Sequence, residues 1–251
     1  MKTVTKIAAL VIAVLMMAAC FAGCSANSDK KFVVATNAAF EPFEYKEDDG
    51  SYAGFDMEMA QYIADKLGQE LVVEDMEFNS VITAVASGKA DVGIACITIT
   101  DERKKSVSFS DPYYSTSQSI IVAADSDIAT VADLKGKKIG VQLGTTGDLF
   151  AGDYIEDADI AQYNTGTEAG MDLANGKIDA IVIDGDPAKK IASSLGLKVL
   201  PEPLTDEQIG MCVNKGDSAL LDQINKAVED MKADGTYDKL LQKYGLAASA
   251  D

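Results

Sequence analysis

The chain has 251 residues, 40 acidic against 22 basic side chains, no histidine and a formal net charge of −18. Such a charge repels nucleic acid and anionic membrane surfaces, and the lack of histidine removes the usual partner of a catalytic thiol. The length suits one large domain or two small ones, either able to fold without disulfide staples.

At the start, Lys2 and Lys6 precede an uncharged run from Ile7 to Ala19, followed by Cys20, Phe21, Ala22, Gly23 and Cys24. A basic flank, a short apolar stretch and small residues have the order of a secretory signal, and the run falls short of the roughly 20 apolar residues of a membrane span. Ala22 and Gly23 before Cys24, with Ser25-Ala26-Asn27-Ser28 after it, resemble the lipobox and tether of bacterial lipoproteins. Residues 1–23 are therefore expected to be a signal peptide and 24–31 a tether, with the lipid on Cys24, or on Cys20 as the competing match. The remaining thiols, Cys96 and Cys212, read as buried and unpaired.

From Phe32 onward, short β-branched runs alternate with amphipathic stretches that end in Gly, the pattern of an α/β chain with largely parallel sheets. Strands are expected at Phe32 to Ala35, Leu71 to Val73, Val92 to Ala95, Ile120 to Ala123, Ile139 to Val141, Ala180 to Ile183 and Ile209 to Val213. Helices are expected at Asp56 to Leu67, Ser80 to Ser87 and Glu168 to Asn175, stopped by Gly68, Gly88 and Gly176. Two C-terminal helices follow, Ser218 to Met231 after Asp217 as N-cap, and Tyr237 to Tyr244. Ser87-Gly88-Lys89-Ala90-Asp91 before one apolar strand recurs as Asn175-Gly176-Lys177-Ile178-Asp179 before another. One α/β unit used twice would face the carboxyl ends of two sheets across a cleft; the plain alternative is one continuous sheet with a repeated turn.

The strand ends carry receptors of opposite charge. Ile97-Thr98-Ile99-Thr100-Asp101-Glu102-Arg103 brings an Arg that can fork onto a carboxylate beside a Thr hydroxyl and amide. Gly144-Thr145-Thr146-Gly147 could present amides at a helix start. Asp184, at the end of the repeated strand, could neutralise an ammonium. Together they suit an α-amino acid, whose two charges must both be satisfied in a dry site. Singly, each has a plainer reading: Arg103 as part of a solvated charged run, Gly144 to Gly147 as a loop, Asp184-Gly185-Asp186-Pro187 as a turn that caps the next helix.

Thr36-Asn37-Ala38-Ala39-Phe40-Glu41-Pro42-Phe43-Glu44-Tyr45, Gly54-Phe55-Asp56, Ile97 to Lys104 and Phe109-Ser110-Asp111-Pro112-Tyr113-Tyr114 stand in order. Asp133-Leu134-Lys135-Gly136-Lys137, Gly144 to Gly147, Ile178-Asp179-Ala180, Asp184 and Asp234-Gly235-Thr236-Tyr237 continue the series. The chain resembles the family-3 extracellular solute-binding proteins over nearly its whole mature length. The resemblance implies a two-lobe periplasmic-binding-protein (Venus flytrap) fold: lobe 1 from 32–112 with 210–251, lobe 2 from 117–204, hinge at 113–116 and 205–209. It implies capture of a free, polar L-amino acid for the permease subunits of an ABC importer, by a monomer held at the outer face of the membrane through its N-terminal lipid alone. No catalysis, cofactor, metal or nucleic acid is expected; a lyase on the same scaffold and a ligand-sensing module are the alternatives.

Carried over by position, Arg103 with the amides of Thr98 and Thr146 takes the ligand carboxylate. Asp184, the Thr98 hydroxyl and the Cys96 carbonyl take the ammonium. Asn37, Phe40, Phe78 and Gln142 face the ligand side chain. Asn37 replaces an acid common in binders of cationic amino acids, Gln142 and Ile183 replace Lys and His of glutamine binders, and Cys96 replaces a Gly or Ser. These departures suggest a neutral polar side chain, with Glu41 nearby able to attract a cation.

Overall fold

The computed structural model describes residues 30–247; the signal segment, Cys20, Cys24 and most of the tether lie outside the described residues. The first half holds strands β1 (Lys31–Thr36), β2 (Ala39–Phe40), β3 (Glu44–Lys46) and β4 (Tyr52–Ala53), helix α1 (Phe55–Leu67), β5 (Glu70–Asp75), α2 (Phe78–Ala86), β6 (Val92–Gly93) and β7 (Val107–Phe109). Next come β8 (Tyr114–Thr116), β9 (Gln118–Ala123), β10 (Lys138–Gln142), α3 (Thr146–Tyr154), β11 (Asp159–Tyr163), α4 (Gly166–Ala174), β12 (Ala180–Asp184), α5 (Gly185–Leu195) and β13 (Leu197–Val199). The chain closes with β14 (Glu207–Ile209), β15 (Cys212–Asn214), α6 (Ser218–Ala233) and α7 (Thr236–Tyr244).

Two sheets of the same layout result, β5-β1-β6-β15-β7 and β11-β10-β12-β9-β13. Each is parallel except for one strand: β15 runs against β6 and β7, and β9 against β12 and β13. The two reversed strands are those reached through β8 and β14, which pair antiparallel with Thr116 opposite Glu207 and Tyr114 opposite Ile209. Through this ribbon the chain leaves the first sheet after β7 and regains it at β15, giving a two-lobe arrangement.

Each sheet is covered on both faces, which is why its central strands are continuously apolar. In the first, Val81, Val85 and Ile97 pack on one side and Phe32, Met59, Ile63, Ile224 and Met231 on the other. In the second, Ile139, Val141, Val182 and Ala151 oppose Ile181, Ile183, Leu173 and Ile191. The repeated sequence is a repeated solution. Gly88 and Gly176 turn with φ of 74° and 68°, and the following Asp accepts a backbone N–H of the neighbouring strand, Asp91 from Val33 at 2.7 Å and Asp179 from Lys138 at 2.8 Å.

Several expected elements differ. The run Ile209 to Val213 is broken at Gly210, where the chain passes from ribbon to sheet, and Val92 to Ala95 is a strand only at Val92–Gly93. Helix α2 begins two residues early, at Phe78, and α4 at Gly166, behind a Thr165–Glu168 capping box. The small sheet β2-β3-β4, and β7, β11 and β13, have no counterpart among the expected strands.

Candidate functional site

Between the lobes, Asn37, Phe40, Phe78, Cys96, Thr98, Arg103, Gln142, Thr146 and Asp184 all line one cavity. They are joined there by Glu44, Ala95 and Thr145. The repeated topology explains the convergence: the loop after β6 carries Cys96, Thr98 and Arg103, while β10, the start of α3 and the end of β12 carry Gln142, Thr146 and Asp184.

Arg103 forms the basic end. A single 3₁₀ turn, Arg103–Lys105, points it back so that Nη1 donates to the Thr98 carbonyl at 2.7 Å and Nη2 to the Gly144 carbonyl at 3.1 Å, one from each lobe. The remaining N–H donors of the guanidinium are left for an anion. Its face rests on Phe78, 5.3 Å from the ring centroid, so Phe78 supports the Arg as well as lining the cavity. Thr146 opens α3, whose first-turn amides have no partner inside the helix. Gly144 contributes less than expected, because its N–H is taken by Asp148 Oδ2 at 3.0 Å.

The acidic end is larger than the sequence suggested. Asp184 is N-cap of α5 by position but makes no capping bond with its side chain, which faces the cleft instead. Burial, reinforced by Glu207, raises its pKa to about 7, against the opposing pull of Gln118 and Arg103. Glu44, 1 % exposed, is a further acid at this end; burial, with Asp56 and Asp184 beside it, pushes its carboxyl well above the ordinary range. Glu41, the acid expected to attract a cation, is instead paired with Lys190 at the exposed mouth, 3.0 Å away. It opens a tight turn that swings it outward, while Glu44 on β3 turns inward.

Asp56 explains Cys96. The Cys96 backbone has φ of 45°, a conformation disfavoured for any side chain bearing Cβ. Its N–H donates to Asp56 Oδ2 at 2.9 Å, and the Tyr113 hydroxyl holds the same carboxylate at 2.8 Å. Burial raises Asp56 to about 6 despite these bonds. The Cys96 thiol is pushed well above its usual value by burial and the surrounding acids, which leaves it protonated and unreactive.

The two amides meet across the cleft. Gln142 Nε2 donates to Asn37 Oδ1 at 2.8 Å and to the Asn164 carbonyl at 3.0 Å, while Asn37 Nδ2 donates to the Met76 carbonyl at 2.8 Å. Backbone carbonyls thus fix which way each amide faces, and with both Gln142 N–H groups used its oxygen is what remains. Two buried oxygens of cavity-lining residues have no hydrogen-bond partner among the described residues, Gln142 Oε1 and Asp184 Oδ1, while the Glu44 carboxyl hydrogen-bonds that of Asp56. The cavity therefore offers donors at Arg103 and unsatisfied acceptors around the rest of its wall, an arrangement able to take a carboxylate at one end and N–H groups at the other.

Comparisons with known proteins follow this chemistry. Residues 32–247 match the profile described as bacterial extracellular solute-binding proteins, family 3. The L-arginine-binding protein of Pseudomonas aeruginosa is 34% identical over 256 residues, covering 97% of this chain and 96% of that one. The L-cystine-binding protein TcyJ of Escherichia coli strain K12 is 34% identical over 218 residues, 84% of this chain and 81% of its own. Among solved structures, an ancestral arginine-binding protein bound to arginine superposes with a TM-score of 0.82 at 42% identity, over 87% of this chain and 99% of the other.

Proposed function

The chain belongs to family 3 of the bacterial extracellular solute-binding proteins, and on that premise we propose that it captures an L-amino acid with a donor-rich polar side chain and delivers it to an ABC importer. The observation that carries this reading is the pair of unpartnered buried acceptors, Asp184 Oδ1 and Gln142 Oε1, with the buried Glu44 beside them, around a cavity whose one basic lining residue among the described residues is Arg103.

Arg103, with the amides of Thr98 and Thr146, takes the carboxylate; Asp184, the Thr98 hydroxyl and the Cys96 carbonyl take the ammonium. Phe40 and Phe78 border the side chain, whose donors reach Gln142, Asn37 and Glu44. A guanidinium satisfies the most acceptors, an amide or imidazole fewer, and an acid or aliphatic chain none. A relative described as binding arginine supports this ordering. The lobes comprise 32–112 with 210–251 and 117–204, hinged at 113–116 and 205–209. The protein acts as a monomeric carrier, not a lyase, tethered through lipid on Cys24 or Cys20.

The test is a melting-temperature panel of the mature chain from Ser25, stripped of carried-over ligand by unfolding and refolding, against the common L-amino acids. Ligand at about 1,000 times its Kd stabilises by roughly 4 kcal/mol, a rise on the order of 10 °C for a domain of this size. L-Arginine is expected to lead, with lysine, histidine and glutamine behind and recovered unchanged. A panel led by glutamate or leucine, or one with no response, refutes the proposal.

A further inference from the structure

A buried carboxylate sits in the hinge ribbon itself, where no ligand role requires one. Glu207 is the first residue of β14 and is 7 % exposed. Its Oε2 accepts from Thr98 Oγ1 at 2.7 Å and Thr146 Oγ1 at 2.8 Å, with Gln118 Nε2 at 3.5 Å, and Oε1 accepts from Thr205 Oγ1 at 3.0 Å. Thr98 comes from the loop after β6 in one lobe, and Thr146 and Gln118 come from α3 and β9 in the other. The two threonine oxygens lie 3.4 Å apart.

We infer that Glu207 is a latch: it ties Thr98 and Thr146 together only when the lobes are closed, and so sets the closed geometry of the cleft. A buried carboxylate needs several donors to offset its desolvation, and this set is complete only while both lobes contribute. Parting them would remove a donor and return the carboxylate to water.

A second consequence concerns the ligand. Each threonine has one hydroxyl proton, and both protons are committed to Glu207. What remains is lone pairs, one of which on Thr146 Oγ1 is taken by Gln118 Nε2 at 3.2 Å, so Glu207 makes both hydroxyls acceptors, matching the acceptor-rich wall. Gln118 Nε2, whose two shorter bonds go to Asp184 Oδ2 at 3.1 Å and Thr146 Oγ1 at 3.2 Å, links the latch through Thr146 to the acidic end of the site. The carboxylate thus acts through other residues and is a positioning residue.

The decisive substitution is Glu207→Gln, whose NH₂ would confront donors where the carboxylate accepts. Spin labels on Lys89→Cys and Lys177→Cys, both exposed and one in each lobe, report the interlobe distance distribution, since Cys96 and Cys212 are buried. With and without L-arginine, Glu207→Gln is expected to shift population from the short to the long distance while the melting transition stays cooperative. L-Arginine affinity should fall about tenfold or more through faster dissociation, as loss of a hydrogen bond to a charged group implies. In a Thr146→Val background the effect of Glu207→Gln should shrink, whereas a merely structural role would leave it unchanged.

Identical distance distributions in wild type and Glu207→Gln, or full additivity with Thr146→Val, overturn the latch. The affinity measurement rests on the proposed ligand class and the distance measurement does not: if wild type binds no amino acid, the ligand-free distributions still decide. Should Glu207→Gln not fold, Thr146→Val replaces it in the distance measurement with the same expected shift, and an unchanged distribution there counts against the latch.

Discussion

Asp184 has a pKa raised to about 7 from an ordinary 3.8, first by burial and then by Glu207. Its folded form therefore holds a proton between about pH 4 and 7 that the unfolded chain has released, so this group makes the ligand-free protein less stable as pH rises through that window. An arriving ammonium reverses the balance, because it favours the ionised carboxylate and expels the proton. Affinity should weaken below pH 7 by up to about tenfold per pH unit, with proton release visible by calorimetry in buffers of different ionisation enthalpy. Arg103, Glu207, Glu44 and Cys96 all act on Asp184 or on its neighbours, so Asp184→Asn should flatten the slope without erasing the share from Glu44 and Asp56. A dissociation constant unchanged from pH 5 to 8 would contradict the assignment. Arg103, Asp184 and the threonines were legible because strand ends and opposite charges in an α/β chain converge on one cleft. Glu44, Gln118 and Glu207 were not: each owes its meaning to partners tens of residues away, and Glu207 reads locally as one more charge in Thr205-Asp206-Glu207.

Helix α3 shows how an element delivers a functional group. Thr145 caps it, accepting from Asp148 N at 3.2 Å, and this fixes the Thr146 amide and hydroxyl at the cleft. Gly147 lets the first turn approach the sheet: a Cβ there would lie 2.6 Å from Gln118 Oε1 and 3.0 Å from the Val182 carbonyl. Gly152, in the same helix, is exposed and would meet nothing within 4 Å. Gly147→Ala should therefore cost about 1–3 kcal/mol by overpacking and weaken ligand binding, because Thr146 and Gln118 must move. Gly152→Ala should stabilise by about 0.5–1 kcal/mol with affinity unchanged. Denaturant unfolding and titration of both variants check the contrast, and equal effects would deny α3 its positioning role. Apolar parallel strands were readable because burial on both faces makes them continuous. An edge strand such as β11, Asp-Ile-Ala-Gln-Tyr, was not, since none of its residues is fully buried and only pairing with β10 makes it strand.

At the scale of the molecule, two sheets of one layout meet through β8 and β14, and polar contacts span the cleft. Gln142 reaches Asn37, Asn164 Nδ2 reaches Glu77 Oε1 at 2.9 Å, and Lys190 reaches Glu41. The outer two are exposed, so they contribute little each; the remaining preference for closure must come from the Glu207 latch, the cavity and its ligand. The duplicated unit was legible in the recurring Gly-Lys-Ala-Asp and Gly-Lys-Ile-Asp turns, while the angle between lobes has no local signal. The central claim, capture of an amino acid by closure, is tested most directly by small-angle X-ray scattering of the stripped mature chain with and without saturating L-arginine, alongside Arg103→Ala. Binding selects the closed state when the ligand contacts both lobes. The expected result is a smaller radius of gyration on addition of L-arginine to the wild type and none for Arg103→Ala. A wild-type chain that binds L-arginine with no compaction, or that compacts equally without Arg103, would contradict the account.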